Sequence, residues 1–148
     1  MKHSLPLSFL ILATPFLCPA VAAEPPPAEV VLLDHVKVGD AFAKGMPLLL
    51  DRRFKVQAGR RVVAGAVEIH ANDTDIFYVT EGSATFVTGG TAVDPKPMAV
   101  GEIRAKEITG GVVHHLTKGD VIVIPSGIPH QFTEVAGTFL YFVVKVSK

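Results

Sequence analysis

The sequence predicts an all-β domain of the sandwich or barrel kind, and three observations carry that reading. From Leu48 onward, short runs rich in Val, Ile, Phe, Tyr and Thr recur at close intervals, each closed by glycine or an Asn/Asp turn. The same stretch has no long apolar stripe of helical period. The chain has 148 residues with 14 acidic and 14 basic side chains, enough for one core. That charge balance, with no basic run, argues against nucleic acid or anionic membrane surfaces as partners.

Taken in order, residues 1–23 read as a secretory signal peptide. Lys2 and His3 give a polar start, Leu5 to Leu17 an apolar core, and Ala20-Val21-Ala22-Ala23 the small residues for cleavage. The expected cut follows Ala23, with Ala22 as the alternative, and the protein is expected to be exported, either periplasmic or secreted. The apolar run is too short for a comfortable membrane span. Leu17-Cys18-Pro19 also lacks the small residue that lipoprotein signals place before cysteine, so no stable membrane anchor is expected. An uncleaved anchor is the alternative. Cys18 is the single cysteine, so the exported chain is expected to have neither disulfides nor thiol chemistry.

Residues 24–34 form a Pro-rich lead-in, extended at Pro25-Pro26-Pro27, with 30–33 expected as an edge strand. The domain proper is expected at 35–148, beginning with a short helix over 36–44 closed by Gly45. Strands follow at 53–57, 62–70, 76–80, 84–87, 103–108, 112–117, 121–124, 130–135 and 138–146. The last is apolar on both faces: Phe139, Tyr141 and Val143 on one, Leu140, Phe142 and Val144 on the other. Its second face therefore needs cover, and a homodimer is expected, with cover by the N-terminal segment as the alternative.

The most informative stretch runs from Gly119 to Glu134, GDVIVIPSGIPHQFTE. The β-branched run Val121 to Ile124 is stopped by Pro125, Gly127 and Pro129, and a strand pattern resumes at His130. A histidine at the end of a rigid turn points one ring nitrogen at a fixed spot. The spacing Gly119, Pro125, Gly127, His130 resembles the second signature of the cupin superfamily, G-x5-P-x-G-x2-H-x3-N, with Glu134 in place of the final Asn. The resemblance implies a double-stranded β-helix of the jelly-roll kind and an upstream partner motif, G-x5-H-x-H-x3-4-E-x6-G. Counting back from Gly82 places Asp75 at the glutamate, His70 at the second histidine and Glu68 at the first. A second register would pair His70 with Asn72, at a spacing shorter than the family's.

Glu68 and His70 lie two apart on a strand and so face the same way. With Asp75 and His130 they make an N2O2 set suited to Fe(II), Mn(II), Zn(II) or Ni(II). Cupins typically offer three histidines and one glutamate, so Glu68 and Asp75 are departures. The alternative is a metal-free cupin whose polar groups bond one another and water. His114 and Tyr141 are the candidates for proton transfer, and one packed and one solvated histidine is the plainer reading of His114-His115. Phe77 and Phe132 are expected to line a substrate pocket that Arg104 and Glu102 reach, with Arg104 binding a carboxylate or lying solvated at an edge; Gln131 is expected on the outer face. The long segment 89–119 is expected to form a lid or an extra hairpin. The resemblance implies metal-dependent chemistry on a small organic acid or enol-like substrate, of dioxygenase, decarboxylase, isomerase or lyase type. A non-enzymatic small-ligand binder is the alternative.

Overall fold

Two long strands organise the molecule. After helix α1 (His35–Lys44) come β1 (Pro47–Leu50), β2 (Phe54–Arg61), β3 (Val67–His70) and β4 (Asp73–Thr88). Then follow β5 (Thr91–Val93), β6 (Lys96–Ala99), β7 (Glu102–Ala105), β8 (Glu107–Thr109), β9 (Val112–Thr117), β10 (Val121–Ile124) and β11 (His130–Ser147). β4 and β11 pair antiparallel from His130↔Thr88 to Ser147↔Asp73. The first half of β4 lies between β10 and the second half of β11, and the sheet continues through β2 to β1. The second half of β4 lies between β9 and the first half of β11, and continues through β3 and β7 to β6. The two sheets thus share β4 and β11 and close over a common interior.

The crossing from one sheet to the other is built at Gly82, whose φ is 78°, opposite a register break between Ala136 and Leu140. A Cβ at Gly82 would collide with the Thr138 carbonyl, so only glycine lets the strands cross there. The enclosed core comprises Phe77, Val79, Ala84, Phe86, Leu116, Ile124, Phe132, Phe139, Tyr141 and Val143, all buried. These are the inward positions of alternating strands, with Phe77, Phe86, Phe132 and Tyr141 in mutual ring contact.

The helix starts where Asp34 caps the Lys37 N–H at 2.9 Å and ends at Gly45, left-handed with φ 66°. Its Phe42 meets Phe142 edge-on at 4.8 Å, over a small cluster with Leu48 and Ala58. The outer apolar face of β11 is therefore covered in part by the chain's own helix.

The computed structural model describes residues 29–148, of which Leu32–Lys148 form one compact unit. The expected signal peptide and the lead-in as far as residue 28 lie outside the described residues. Several expectations are corrected. Residues 30–33 are not a strand, and 62–66 are irregular, with a bend at Val62 and Val63. The pairs 76–80 and 84–87, and 130–135 and 138–146, are each one continuous strand, because a glycine in a sheet can mark a bend rather than an end. The segment 89–119 forms two small pairings: β5 with β8, and β6 with β7, which joins the main sheet at β3.

Candidate metal centre

Glu68 and His70 leave the same face of β3, as strand alternation dictates. His130 opens β11 directly opposite Glu68. The turn before it is tied to the same strand, since the Gly127 N–H donates to the His70 carbonyl at 2.8 Å. The Nδ1 of His130 lies 3.0 Å from the Ile128 carbonyl. That bond makes Nδ1 the donor and leaves Nε2 bare and aimed inward. The ligand atoms of Glu68, His70 and His130 lie within 4.8 Å of one another, and the two imidazole centroids are 5.2 Å apart.

His70 is the chemical anomaly of the site. Its side chain is 5% exposed, yet neither ring nitrogen makes a hydrogen bond. Glu102 Oε2 approaches Nδ1 to 2.8 Å, but out of line with a ring N–H, and Glu68 Oε2 stands 3.4 Å from Nε2. His70 is thus buried among three carboxylates without a well-aligned hydrogen bond, and a metal ion is a partner that would satisfy its ring nitrogens. Two imidazoles and a carboxylate are a donor set that fits a divalent transition metal.

Asp75, expected as a fourth ligand, is engaged elsewhere. It is buried on β4, and its two oxygens accept from Lys145 Nζ at 2.7 and 2.8 Å. Its Oδ2 still lies 3.5 Å from His70 Nε2 and 3.9 Å from His130 Nε2, so it stands beside the trio rather than within it. Asn72, the partner of His70 in the second register, is exposed.

The surrounding charges set protonation. Burial pushes the Glu68 carboxyl up, but the adjacent His70 ring and the guanidinium groups of Arg104 and Arg61 outweigh it and hold it at about 2. Burial pushes His70 down, and Glu68, Asp75 and Glu102 more than offset burial and Lys145, leaving it above its ordinary value. For His130 burial dominates, and the net shift is downward despite the Ile128 bond.

A cavity of about 200 Å³ opens beside the trio, with Glu68, Asp75 and His130 in one wall and Phe77, Phe132 and Val143 in another. Phe77 and Phe132 thus line it as expected. Tyr141 lines it too, its hydroxyl accepting from Arg61 Nε at 3.0 Å, and burial raises its pKa, so it stays protonated. Arg104 does not line the cavity; it lies behind Glu68 and Glu102, at 3.7 and 3.4 Å. His114 is turned to Thr88 Oγ1 at 2.8 Å and is also absent from the cavity wall. Gln131, expected outside, reaches the Gly65 carbonyl at 3.0 Å and borders the opening.

Two residues of the site escaped the sequence reading. Arg61 and Lys145 both occupy inward positions, beside Gly59 on β2 and Val143 on β11. A charged residue in the inward phase of an apolar alternation was the available signal.

The cupin family's sequence pattern matches residues 27–148. The chain belongs to the cupin family. Solved structures agree on the double-stranded β-helix at low identity. A hydroquinone 1,2-dioxygenase in complex with Cd2+ and 4-hydroxybenzonitrile superposes with a TM-score of 0.56 at 17% identity, over 75% of this chain and 71% of that one. The hydroquinone 1,2-dioxygenase of Sphingomonas sp. TTNP3, with 4-hydroxybenzoate bound, gives 0.53 at 12% identity over 70% of this cupin, which spans less than two thirds of its length at 65%. A double-stranded β-helix protein of Klebsiella pneumoniae gives 0.51 at 18% identity, over 74% and 86%. No curated protein sequence matches the chain.

Proposed function

We propose that this cupin is an exported, metal-dependent protein that acts on a small organic acid or enol-like molecule. The observation that carries the reading is the trio itself: the ligand atoms of Glu68, His70 and His130 lie within 4.8 Å of one another, with Glu68 and His130 lining a cavity. Glu68, His70 and His130 would hold Fe, Mn, Zn or Ni, with Asp75 in reserve on Lys145. When bound, such a metal supplies Lewis-acid polarisation of a substrate oxygen. The protein contributes the rest. His130 is fixed by Ile128, Phe77 and Phe132 exclude water, and the protonated Tyr141 hydroxyl offers a hydrogen bond. The dioxygenase likeness and the small aromatic compounds in those two structures support a dioxygenase, decarboxylase, isomerase or lyase type of reaction.

A second reading, a non-enzymatic small-ligand binder, is favoured by one observation. His114, a candidate for moving protons, bonds Thr88 away from the cavity, which leaves Tyr141 alone of that pair at the site. Export rests on the leader at 1–23, and intact mass of the recovered protein tests it by showing a chain that starts at Glu24. A homodimer is supported by exposed Tyr78, Val121 and Val123 on adjoining strands, and sedimentation velocity tests it.

The deciding experiment is elemental analysis of the exported protein and of its His70→Ala and His130→Ala variants. Near-stoichiometric metal in the wild type, lost in both variants, is expected. A folded wild type that stays metal-free after reconstitution would overturn the metal reading.

A further inference from the structure

The cavity contains a second polar feature that the metal trio does not explain. Arg61 projects from β2 with its side chain one quarter exposed and its guanidinium pinned from three directions. Nε donates to the Tyr141 hydroxyl at 3.0 Å, Nη2 donates to Glu68 Oε1 at 3.3 Å, and the plane lies 4.7 Å over the Phe132 ring. Gly65 leaves room for Nη1, since a Cβ there would collide with it. An arginine carries five N–H donors, and two are used within the described residues. The Tyr141 hydroxyl accepts from Arg61, so its own proton is free to donate. The result is a rigid, desolvated fork beside a free hydroxyl, in a cavity too small for a drug-sized ligand.

Glu68 fixes where this fork stands. Its Oε1 takes Arg61 while its Oε2 faces His70 Nε2, so one carboxylate separates the guanidinium from the metal trio. The charge balance adds a second argument. Glu68, Asp75 and Glu102 are each matched by one cation, Arg61, Lys145 and Arg104 respectively. A divalent ion would leave this half-buried site with two uncompensated positive charges, which favours an anionic ligand.

We propose that Arg61, positioned by Tyr141, is the residue that binds the carboxylate of a small organic acid and so sets the selectivity of the cavity for acids over neutral analogues. This rests on the proposed metal site for the charge balance and for where the other end of the ligand lies; the fork itself stands on Arg61 and Tyr141 alone. Planar guanidinium–carboxylate pairing is the strongest recognition available to this wall, and Arg104, on the far side of Glu68, does not reach the cavity.

The test uses lactate and lactamide, nearly equal in size and different in charge, titrated calorimetrically into metal-loaded and metal-free protein. Lactate is expected to bind the loaded wild type at least about tenfold tighter than lactamide. In Arg61→Met that preference should fall to within about threefold when the variant is titrated at full metal loading. Tyr141→Phe should shrink it severalfold, and Arg61→Lys should keep part of it. If Arg61→Met does not fold, the lysine and phenylalanine variants decide. A preference undiminished in Arg61→Met, or in both Arg61→Lys and Tyr141→Phe, would mean that the metal alone reads the carboxylate and would overturn the proposal. Equal binding of the two probes, or no saturable binding of either, would overturn it as well. A wild type that takes no metal yet prefers lactate through Arg61 would sink the metal reading and leave this one standing.

Discussion

Replacing Lys145 by methionine in metal-free protein isolates the strongest ion pair of the site. Lys145 Nζ donates to both Asp75 oxygens at 2.7 and 2.8 Å, and the two side chains are 11% and 3% exposed. Methionine keeps the stem's volume and leaves the buried carboxylate without its cation. Breaking such a pair from one side costs about 3–5 kcal/mol. For a domain of about 120 residues the unfolding entropy is about 0.25 kcal/mol/K, so Tm should fall by about 12–20 °C. The double variant Asp75→Asn/Lys145→Met should recover most of the loss, giving a coupling of about 2 kcal/mol or more. Differential scanning calorimetry at pH 7 is the assay. A drop below about 4 °C or additive single effects would refute the argument.

Three further outcomes are expected. Glu68 is held at about 2, against an ordinary 4.5, so its stabilisation is present above pH 4.5 and is lost as pH falls towards 2. In urea titrations the gap between wild type and Glu68→Gln should close by up to about 3 kcal/mol over that window, and a constant gap would refute the assignment. Against burial, its carboxylate neighbours raise His70 above its ordinary value, so a proton competes for the metal trio as pH falls. Metal affinity by competition with a chromophoric chelator should fall as pH is lowered, and a flat profile would count against His70 as a ligand. At Gly59 a Cβ would stand 2.5 Å from the Tyr141 ring, so Gly59→Ala should displace that ring and cost about 1–3 kcal/mol in thermal melts. An unchanged Tm would mean that the ring is not pinned there.

Local chemistry made much of this legible. The Pro125–Gly127–His130 turn, the Glu68–His70 alternation and the inward row Phe139, Tyr141, Val143 are short-range patterns, and each falls where the sequence reading put it. Strand continuity was not legible, because Gly82 and Gly137 bend strands that local rules would end. The partners of the charged residues were equally hidden. Lys145 meets Asp75 across 70 positions and Arg61 meets Tyr141 across 80, pairings that only the sheet register creates.

Those hidden pairings change how the departures from the usual cupin pattern should be read. A glutamate at 68 in place of histidine adds a negative charge to the site, and alone it would bury that charge at a cost. Arg61 stands on one of its oxygens and Arg104 near the other, so the substitution comes with its own compensation. Asp75 is one methylene shorter than the usual glutamate, and Lys145 sits within 2.8 Å to neutralise it. A pocket without a ligand would be under no constraint to keep three carboxylates and three cations balanced around a buried histidine. The balanced set costs nothing in net charge, leaves the His70 ring nitrogens without a well-aligned hydrogen bond, and places a guanidinium at the cavity wall. Each of those features is costly or idle in an empty cupin, and each has a use once a metal and an acid share the cavity.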